Sequence, residues 1–477
     1  MTPHRAVLVI GLLTGVAFVF LTPPFQAPDE PDHLSRAYHI SQGSLLAERR
    51  GEFAGGDLPA SLPKLAAPFL QDLAFQRDKK VSRAMLREAF AIPLEPSDRM
   101  FVAFKGTALY TPIPYLPQAF AVRIGTLIDM PPLVLLYLAR TFNLLTSAAL
   151  LYYAVRIAPC FKWVLASLAL TPMAIFLRAS ASADALTAGA AFLFISLVLS
   201  LAFGPVETTR RSALALFVAV SVVALSKPVY VPLALLVFLI PRTRLGSRGR
   251  GVMIKSVVVG LAIAAFALSS WISHSRYTPL HPTDPTHPRE QVDHVLDRPA
   301  QFIAAVARTY VQEGRNLRTH FIGTFGWLDT PLDMRVVDAY CLMLLLLALV
   351  DGSRRVRISL VQRALIAAVC LAVVLAITLS QYLIWTPVGR ATVEGLQGRY
   401  FMPIGPLPLL LLCNARFAAV LAIPTLGWLF LVAHSAASAV GLAGLPPSAL
   451  ASTSEVPLDS PACRDYRPTE HQLAVCL

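Results

Sequence analysis

Three carboxyl groups and an imidazole fall together at Asp29, Glu30, Asp32 and His33, followed by Arg36, in the stretch Phe25–Arg36 that comes directly after the first long apolar run. Charge at the mouth of a bilayer carries a desolvation cost, so such a cluster points to chemistry. With helical spacing, Asp29, Asp32 or His33, and Arg36 share one face, with Glu30 beside them. A carboxylate held against apolar walls can act as a general base toward a hydroxyl, oriented by a neighbouring acid. A purely structural use is also open, because Asp29 precedes Pro31 and Asp32 in the pattern of a helix N-cap. A third use is a divalent metal: Asp29, Glu30, Asp32 and His33 offer oxygen ligands and one imidazole, suited to Mg²⁺ or Mn²⁺.

Three further places carry charge beside apolar runs. Arg178-Ala-Ser-Ala-Ser-Ala-Asp184 forms a turn in which Asp184 either caps the next helix or joins an acidic cluster with Asp29. Lys227 precedes Pro228 with no acidic residue near it in sequence, placed to snorkel or to meet a lipid-linked phosphate. Glu394-Gly-Leu-Gln-Gly-Arg-Tyr-Phe401 brings Arg399, the group that grips phosphate in two-pronged fashion, near two glycines that would let backbone approach a ligand. Arg123 and Arg140 lie deeper along apolar segments and either add to the cationic side or pair internally.

The elements that must position these groups are membrane helices. Of 477 residues, 56% are hydrophobic and 14% charged, and the mean hydropathy is +0.61, which excludes a soluble globular surface. The net charge of +13 reads as basic cytoplasmic loops rather than a nucleic-acid partner. A crossing helix needs about 20 apolar residues. About 11 spans meet or approach that requirement: 6–24, 132–155, 162–177, 183–203, 212–225, 228–241, 252–272, 335–350, 359–384, 401–413 and 417–434. The first is an uncleaved helix, because Phe25 and Ala27 and the surrounding prolines make a poor cleavage site.

Residues 108–128 are apolar but carry Pro112, Pro114, Pro117 and Arg123. If they do not cross, Arg156, Lys162, Arg210, Arg211, Arg242 to Lys255, Arg354, Arg355, Arg357 and Arg416 all fall on one side, which is then cytoplasmic. That places the N-terminus inside and the C-terminus outside, with 108–128 re-entrant or surface-lying beside a cavity. The outer face then receives loops 25–107 and 273–334 and the tail 435–477. Within the first loop, Asp32–Leu46 and Val81–Phe90 read as surface-lying amphipathic helices separated by the Gly- and Pro-containing 51–68. Residues 299–312 show near-helical spacing of Phe302, Ile303, Val306 and Tyr310. Cys463 and Cys476 lie in the tail, where a disulfide is permitted.

Taken in order, Pro28-Asp29-Glu30, Tyr110-Thr-Pro-Ile-Pro-Tyr115, Ser182-Ala-Asp184, Lys227-Pro228-Val-Tyr230, Phe325-Gly-Trp-Leu-Asp329 and Gln397-Gly-Arg-Tyr-Phe401 resemble a family of bacterial membrane proteins catalogued as a domain of unknown function, DUF2142. That family is similar to the GT-C class of integral-membrane glycosyltransferases, which use polyprenyl-phosphate sugars and place an acidic pair in the first outer loop. The resemblance implies a GT-C-like all-α polytopic fold over 1–434, with Asp29 and Glu30 at the catalytic positions. It further implies Asp184 in the second acidic loop, and substrate-binding roles for Asp32, His33, Arg36, Tyr110, Lys227, Arg399 and Tyr400. A large C-terminal soluble domain, carried by several GT-C members, is not expected of this chain.

The expectation is a bacterial inner-membrane glycosyltransferase. It would move a sugar from a polyprenyl-phosphate donor to a glycan or lipid acceptor in envelope polysaccharide assembly, among membrane lipids and with no nucleic acid. The alternatives are a transporter or flippase of lipid-linked saccharides without bond chemistry, and a structural assembly subunit. The apolar runs are nearly free of acidic residues, which favours chemistry at the outer surface over a transport path through the spans.

Overall fold

The computed structural model describes residues 1–76, 78–205, 208–280, 286–353 and 356–413. The expected span 417–434, the tail 435–477 and the Cys463 and Cys476 pair lie outside them. Helix α1 (Pro3–Leu21) opens the chain, and α2 (Glu30–Ser41) begins the first long connection. Strand β1 (Glu48–Arg50), β2 (Phe53–Pro59), α3 (Ser61–Asp72), α4 (Arg83–Ala91) and β3 (Arg99–Ala103) follow. Two 3₁₀ turns, Thr107–Leu109 and Ile113–Tyr115, then lead into α5 (Leu116–Leu127). The three strands form an antiparallel sheet in the order β1-β2-β3, with Glu48 opposite Gly55 and Gly55 opposite Ala103. The chain is therefore not purely helical. These strands were hidden because Glu48-Arg-Arg and Phe53-Ala-Gly-Gly-Asp-Leu-Pro59 lack an apolar alternation.

The bundle consists of α6 (Pro132–Ile157), α7 (Lys162–Ala169), α8 (Pro172–Arg178), α9 (Asp184–Phe203), α10 (Arg210–Ser226) and α11 (Arg248–Arg276). After α12 (Pro288–Asp297) and α13 (Pro299–Ile322), strands β4 (Thr324–Phe325) and β5 (Thr330–Pro331) make a short hairpin. Helices α14 (Met334–Val350), α15 (Leu360–Ile384) and α16 (Pro406–Leu410) complete the described chain. Helices α1, α6, α7, α8 and α9 pack around one shared apolar core, which includes Phe18, Leu144, Leu165, Phe176 and Phe194.

Among the described residues, five helices are long and apolar enough to cross a membrane: α1, α6, α9, α11 and α15. The expected count of about 11 is larger because proline interrupts several of the apolar runs. Run 162–177 is split into α7 and α8 at Pro172, and residues 228–239 wind as a 3₁₀ helix containing Pro232. Run 401–413 divides between a 3₁₀ turn over Gly398–Ile404, with Pro403 inside, and α16. A residue without an N–H cannot continue an α-helical hydrogen-bond ladder. Helices α10 and α14, of 17 residues each, reach about 26 Å at 1.5 Å per residue. Segment 108–128 forms two turns and the 12-residue α5, about 18 Å, too short to cross. It packs instead along α6 and α2.

Candidate functional site

The site is built on one enclosed ion pair. Arg140, in the middle of α6, is fully buried, and its guanidinium places every N–H. Nε and Nη2 donate to the two oxygens of Glu30 at 2.8 and 2.6 Å. Nη1 donates to the carbonyls of Val19 and Thr22, and Nη2 also to that of Pro23, at 2.8–3.0 Å. These are carbonyls at the C-terminus of α1, where a helix leaves acceptors unpaired and where a cation is favoured. Glu30 in turn accepts the backbone N–H of Phe25 at 3.1 Å and of Ala181 at 3.0 Å. One carboxylate thus joins the first loop to α6 and to the 179–183 turn. That turn is held from two more sides: Asn143 donates to the carbonyls of Ser180 and Ser182, and Gln118 to those of Ala181 and Ser182.

Glu30 therefore lies at the back of the site and does not line the cavity, in contrast to the catalytic position expected from the sequence. Arg36 is also withdrawn. It is fully buried, near His39 Nδ1, and donates to the carbonyls of Leu45 and Tyr110, so it positions Tyr110 from behind rather than meeting a ligand.

Asp29 points the other way. Its backbone is left-handed (φ 60°, ψ 15°), a conformation that costs an L-residue about 1–2 kcal/mol and that Asp tolerates better than most. Its side chain makes no cap hydrogen bond, so the N-cap explanation does not account for its carboxylate. That carboxylate is half exposed and accepts from Arg399 Nη2 at 3.1 Å. Asp184 likewise does not cap α9: it pairs with Lys227 and lies 3.8 Å from Arg399 Nη1. The two carboxylates do not touch as an acidic cluster but alternate with the two cations, in the order Asp29, Arg399, Asp184, Lys227. Lys227 Nζ sits 5.3 Å from the ring centroids of both Tyr110 and Tyr400, and Tyr230 donates to the Tyr400 carbonyl at 2.7 Å. Burial disfavours the Lys227 ammonium, but Asp184 and the surrounding tyrosines outweigh it and raise its pKa above the ordinary lysine value. These groups come from four segments far apart in sequence, around residues 29, 110, 184 to 230 and 399.

A cavity of about 650 Å³ opens over this chain of charges, with Asp29, Asp32, His33, Tyr110, Asp184, Lys227, Arg399 and Tyr400 all on its wall. Eight of the ten residues expected from the sequence thus share one hollow. The opposite wall is apolar and aromatic, including Phe75, Trp327, Ile377, Ile384 and Trp385. Asp32 is half-buried there, and its carboxyl has no hydrogen-bond or ionic partner among the described residues. Burial first, and the neighbouring Asp29 charge second, push its pKa up to about 8. His33 donates to or accepts from Tyr115 Oη at 2.9 Å, and burial pushes its pKa down to about 4 despite the nearby carboxylates, so its ring is neutral at neutral pH.

No three His, Cys, Asp or Glu side chains among the described residues converge to hold a metal ion. The expected set fails for a physical reason: Glu30 is consumed by Arg140, Asp29 faces Arg399, and His33 is turned to Tyr115. The two glycines that precede Arg399 serve protein rather than ligand. A Cβ on Gly398 would overlap the Leu317 carbonyl of α13, and Gly395, at φ 71°, packs on the Trp385 ring.

Several contributors were absent from the expected set: Asn143, Gln118, Tyr115, Tyr230 and Trp327. Trp327 closes one wall and donates Nε1–H to the Phe25 carbonyl at 3.1 Å, its ring tilted against that of Phe75 with centroids 5.3 Å apart. Amide side chains inside apolar runs were the available signal for Asn143 and Gln118. Residues 12–408 match the family described as "Predicted membrane protein (DUF2142)". No curated protein and no solved structure matches the chain.

Proposed function

The chain belongs to the DUF2142 family of predicted membrane proteins, and from that premise we propose that it is a membrane glycosyltransferase. It takes a sugar from a polyprenyl-phosphate donor and passes it to a hydroxyl of a glycan or lipid acceptor. The observation that carries this reading is the division of labour on the cavity wall: two buried cations, Arg399 and Lys227, beside a carboxyl, Asp32, with no partner among the described residues. The apolar wall from Ile377 to Trp385 belongs to the end of the long apolar helix α15, a surface suited to an isoprenoid chain.

In this reading the phosphate of the donor displaces Asp29 from the accessible edge of Arg399, while Lys227 neutralises a second oxygen. The acceptor oxygen forms its bond to the anomeric carbon as the bond from that carbon to the phosphate oxygen breaks, and the electron pair leaves on the phosphate. The hydroxyl proton passes to the ionised form of Asp32, which has no partner among the described residues and is populated as pH rises through about 8, whereas Asp29 holds Arg399 until the donor arrives. Attack from the face opposite the phosphate inverts the anomeric centre. The excess of Lys and Arg in the short loops supports an outer-face site, with the N-terminus cytoplasmic and the C-terminus periplasmic, in a bacterial inner membrane.

The test incubates purified protein with a panel of radiolabelled polyprenyl-phosphate sugars and a hydroxyl acceptor, and follows the release of polyprenyl phosphate. One donor is consumed by the wild type. Asp29→Asn weakens its use at least tenfold while leaving membrane insertion intact, and Asp32→Asn abolishes it. Full turnover by Asp32→Asn removes the assigned proton acceptor. Failure of every donor removes the reading itself.

A further inference from the structure

Behind the Asp184 and Arg399 pair lies a second and much smaller cavity, about 30 Å³, where α6, α7, α8, α9 and the 398–404 turn meet. Ser147, Arg178, Asp184 and Arg399 supply its polar lining, amid Leu151 and Phe192. Arg178 is 2% exposed. Its Nε donates to the Ala174 carbonyl at 3.1 Å, but Nη1 and Nη2 have no hydrogen-bond partner. They lie flat against Gly11 of α1, where a Cβ would sit 3.5 Å from each. The Ser147 hydroxyl and Arg399 Nη1 are also buried without a partner. Among the described residues, four buried donor groups of the lining thus have no hydrogen-bond acceptor, a state that carries a desolvation cost.

The charges do not balance either. Glu30 is matched by Arg140. Asp29 and Asp184 are engaged by Arg399 and Lys227, and among the described residues no carboxylate pairs with Arg178. Asp32 keeps its proton at neutral pH and His33 is neutral. Arg178 is left without a counter-charge, and unlike Arg36, whose Nη2 reaches the carbonyls of Leu45 and Tyr110, it has no acceptor for Nη1 or Nη2 among the described residues. A guanidinium removed from water with neither a counter-charge nor an acceptor favours an anion beside it. The volume admits one or two waters, or one monatomic ion, and is too small for a phosphate. Water would accept from these donors but would leave the charge unmatched.

We propose that this cavity is a halide site, in which a chloride ion bound by Arg178, with Ser147 and Arg399 beside it, completes the charge balance behind the donor-binding cations. The ion is structural: it fixes the inner edge of Arg399 and takes no part in group transfer.

The experiment measures thermal unfolding of the purified full chain in detergent, by tryptophan fluorescence, as sodium chloride replaces sodium gluconate at constant ionic strength. The wild type gains stability with saturating chloride dependence, and bromide substitutes for chloride. Arg178→Met, which needs no counter-ion, loses the dependence. Ser147→Ala, a smaller change that keeps the fold should Arg178→Met fail to accumulate, raises the half-saturating chloride concentration several-fold. Bromide-soaked crystals show an anomalous peak beside Arg178. Equal unfolding temperatures of the wild type in chloride and gluconate, or an undiminished dependence in Ser147→Ala, overturn the assignment and leave the void to water. Neither readout involves sugar transfer, so the result stands apart from the enzymatic reading.

Discussion

Glu30→Gln separates the two roles that adjacent acidic residues can play. The substitution keeps the shape of the side chain but removes its charge and turns one oxygen into a donor. Each Glu30 oxygen now accepts two hydrogen bonds: Oε1 from Arg140 Nε and Ala181 N–H, Oε2 from Arg140 Nη2 and Phe25 N–H. A glutamine satisfies one of those pairs and sets an amide N–H₂ against the other. It also leaves the Arg140 guanidinium, 0% exposed, without a counter-charge. Breaking one side of a buried pair costs about 3–5 kcal/mol, or roughly a hundred- to several-thousand-fold in the folding equilibrium at 1.4 kcal/mol per decade. The measurement is the unfolding midpoint of the purified protein in detergent, with Arg140→Met and the Glu30→Gln/Arg140→Met pair beside it. Both single variants fall well below the wild type. The double variant falls by less than the sum of the two, because neither charge is left bare, though the carbonyls of Val19, Thr22 and Pro23 still lose their donor. A Glu30→Gln protein that unfolds with the wild type and loses only sugar transfer would refute the positioning role and return Glu30 to the chemistry.

Three other outcomes follow from the same geometry. Donor turnover rises with pH through about 8 as Asp32 gives up its proton; in Asp29→Asn the pH–rate limb moves to lower pH, because removing a like charge eases ionisation, and a limb that stays in place contradicts the proximity of the two groups. The stability sign is opposite: since the folded-state pKa of Asp32 lies above the ordinary carboxyl value, the fold loses stability as pH climbs from about 4 to about 8, and Asp32→Asn flattens that slope in a pH series of unfolding midpoints. Gly398→Ala forces the 398–404 turn away from α13 at a cost of about 1–3 kcal/mol and displaces Arg399, so it lowers both stability and donor affinity; wild-type values for both would mean the contact yields freely. Leu45→Cys, at a 60% exposed position in the first long connection, reacts with a membrane-impermeant maleimide added to intact cells; protection until lysis would invert the proposed orientation.

The sequence alone carried the membrane character, the approximate helix positions and most of the site, because apolar length and charge at the edge of an apolar run are local quantities. Asp29, Asp184, Lys227 and Arg399 each announced themselves in that way. Direction was not local. Asp29 and Glu30 are neighbours, yet a left-handed residue at the start of α2 sends one carboxylate to the cavity and the other to Arg140, 110 positions away. Nothing in the spacing of Asp29 and Glu30 encodes that choice, which is made by the unpaired carbonyls at the end of α1 and the N–H groups of Phe25 and Ala181. Hydropathy likewise counted apolar runs without registering that Pro172, Pro232 and Pro403 break them, and the short β1-β2-β3 sheet left no periodic trace. Pairing partners distant in sequence, and the hydrogen bonds that only a folded backbone can offer, decided which charges meet a ligand and which hold the protein together.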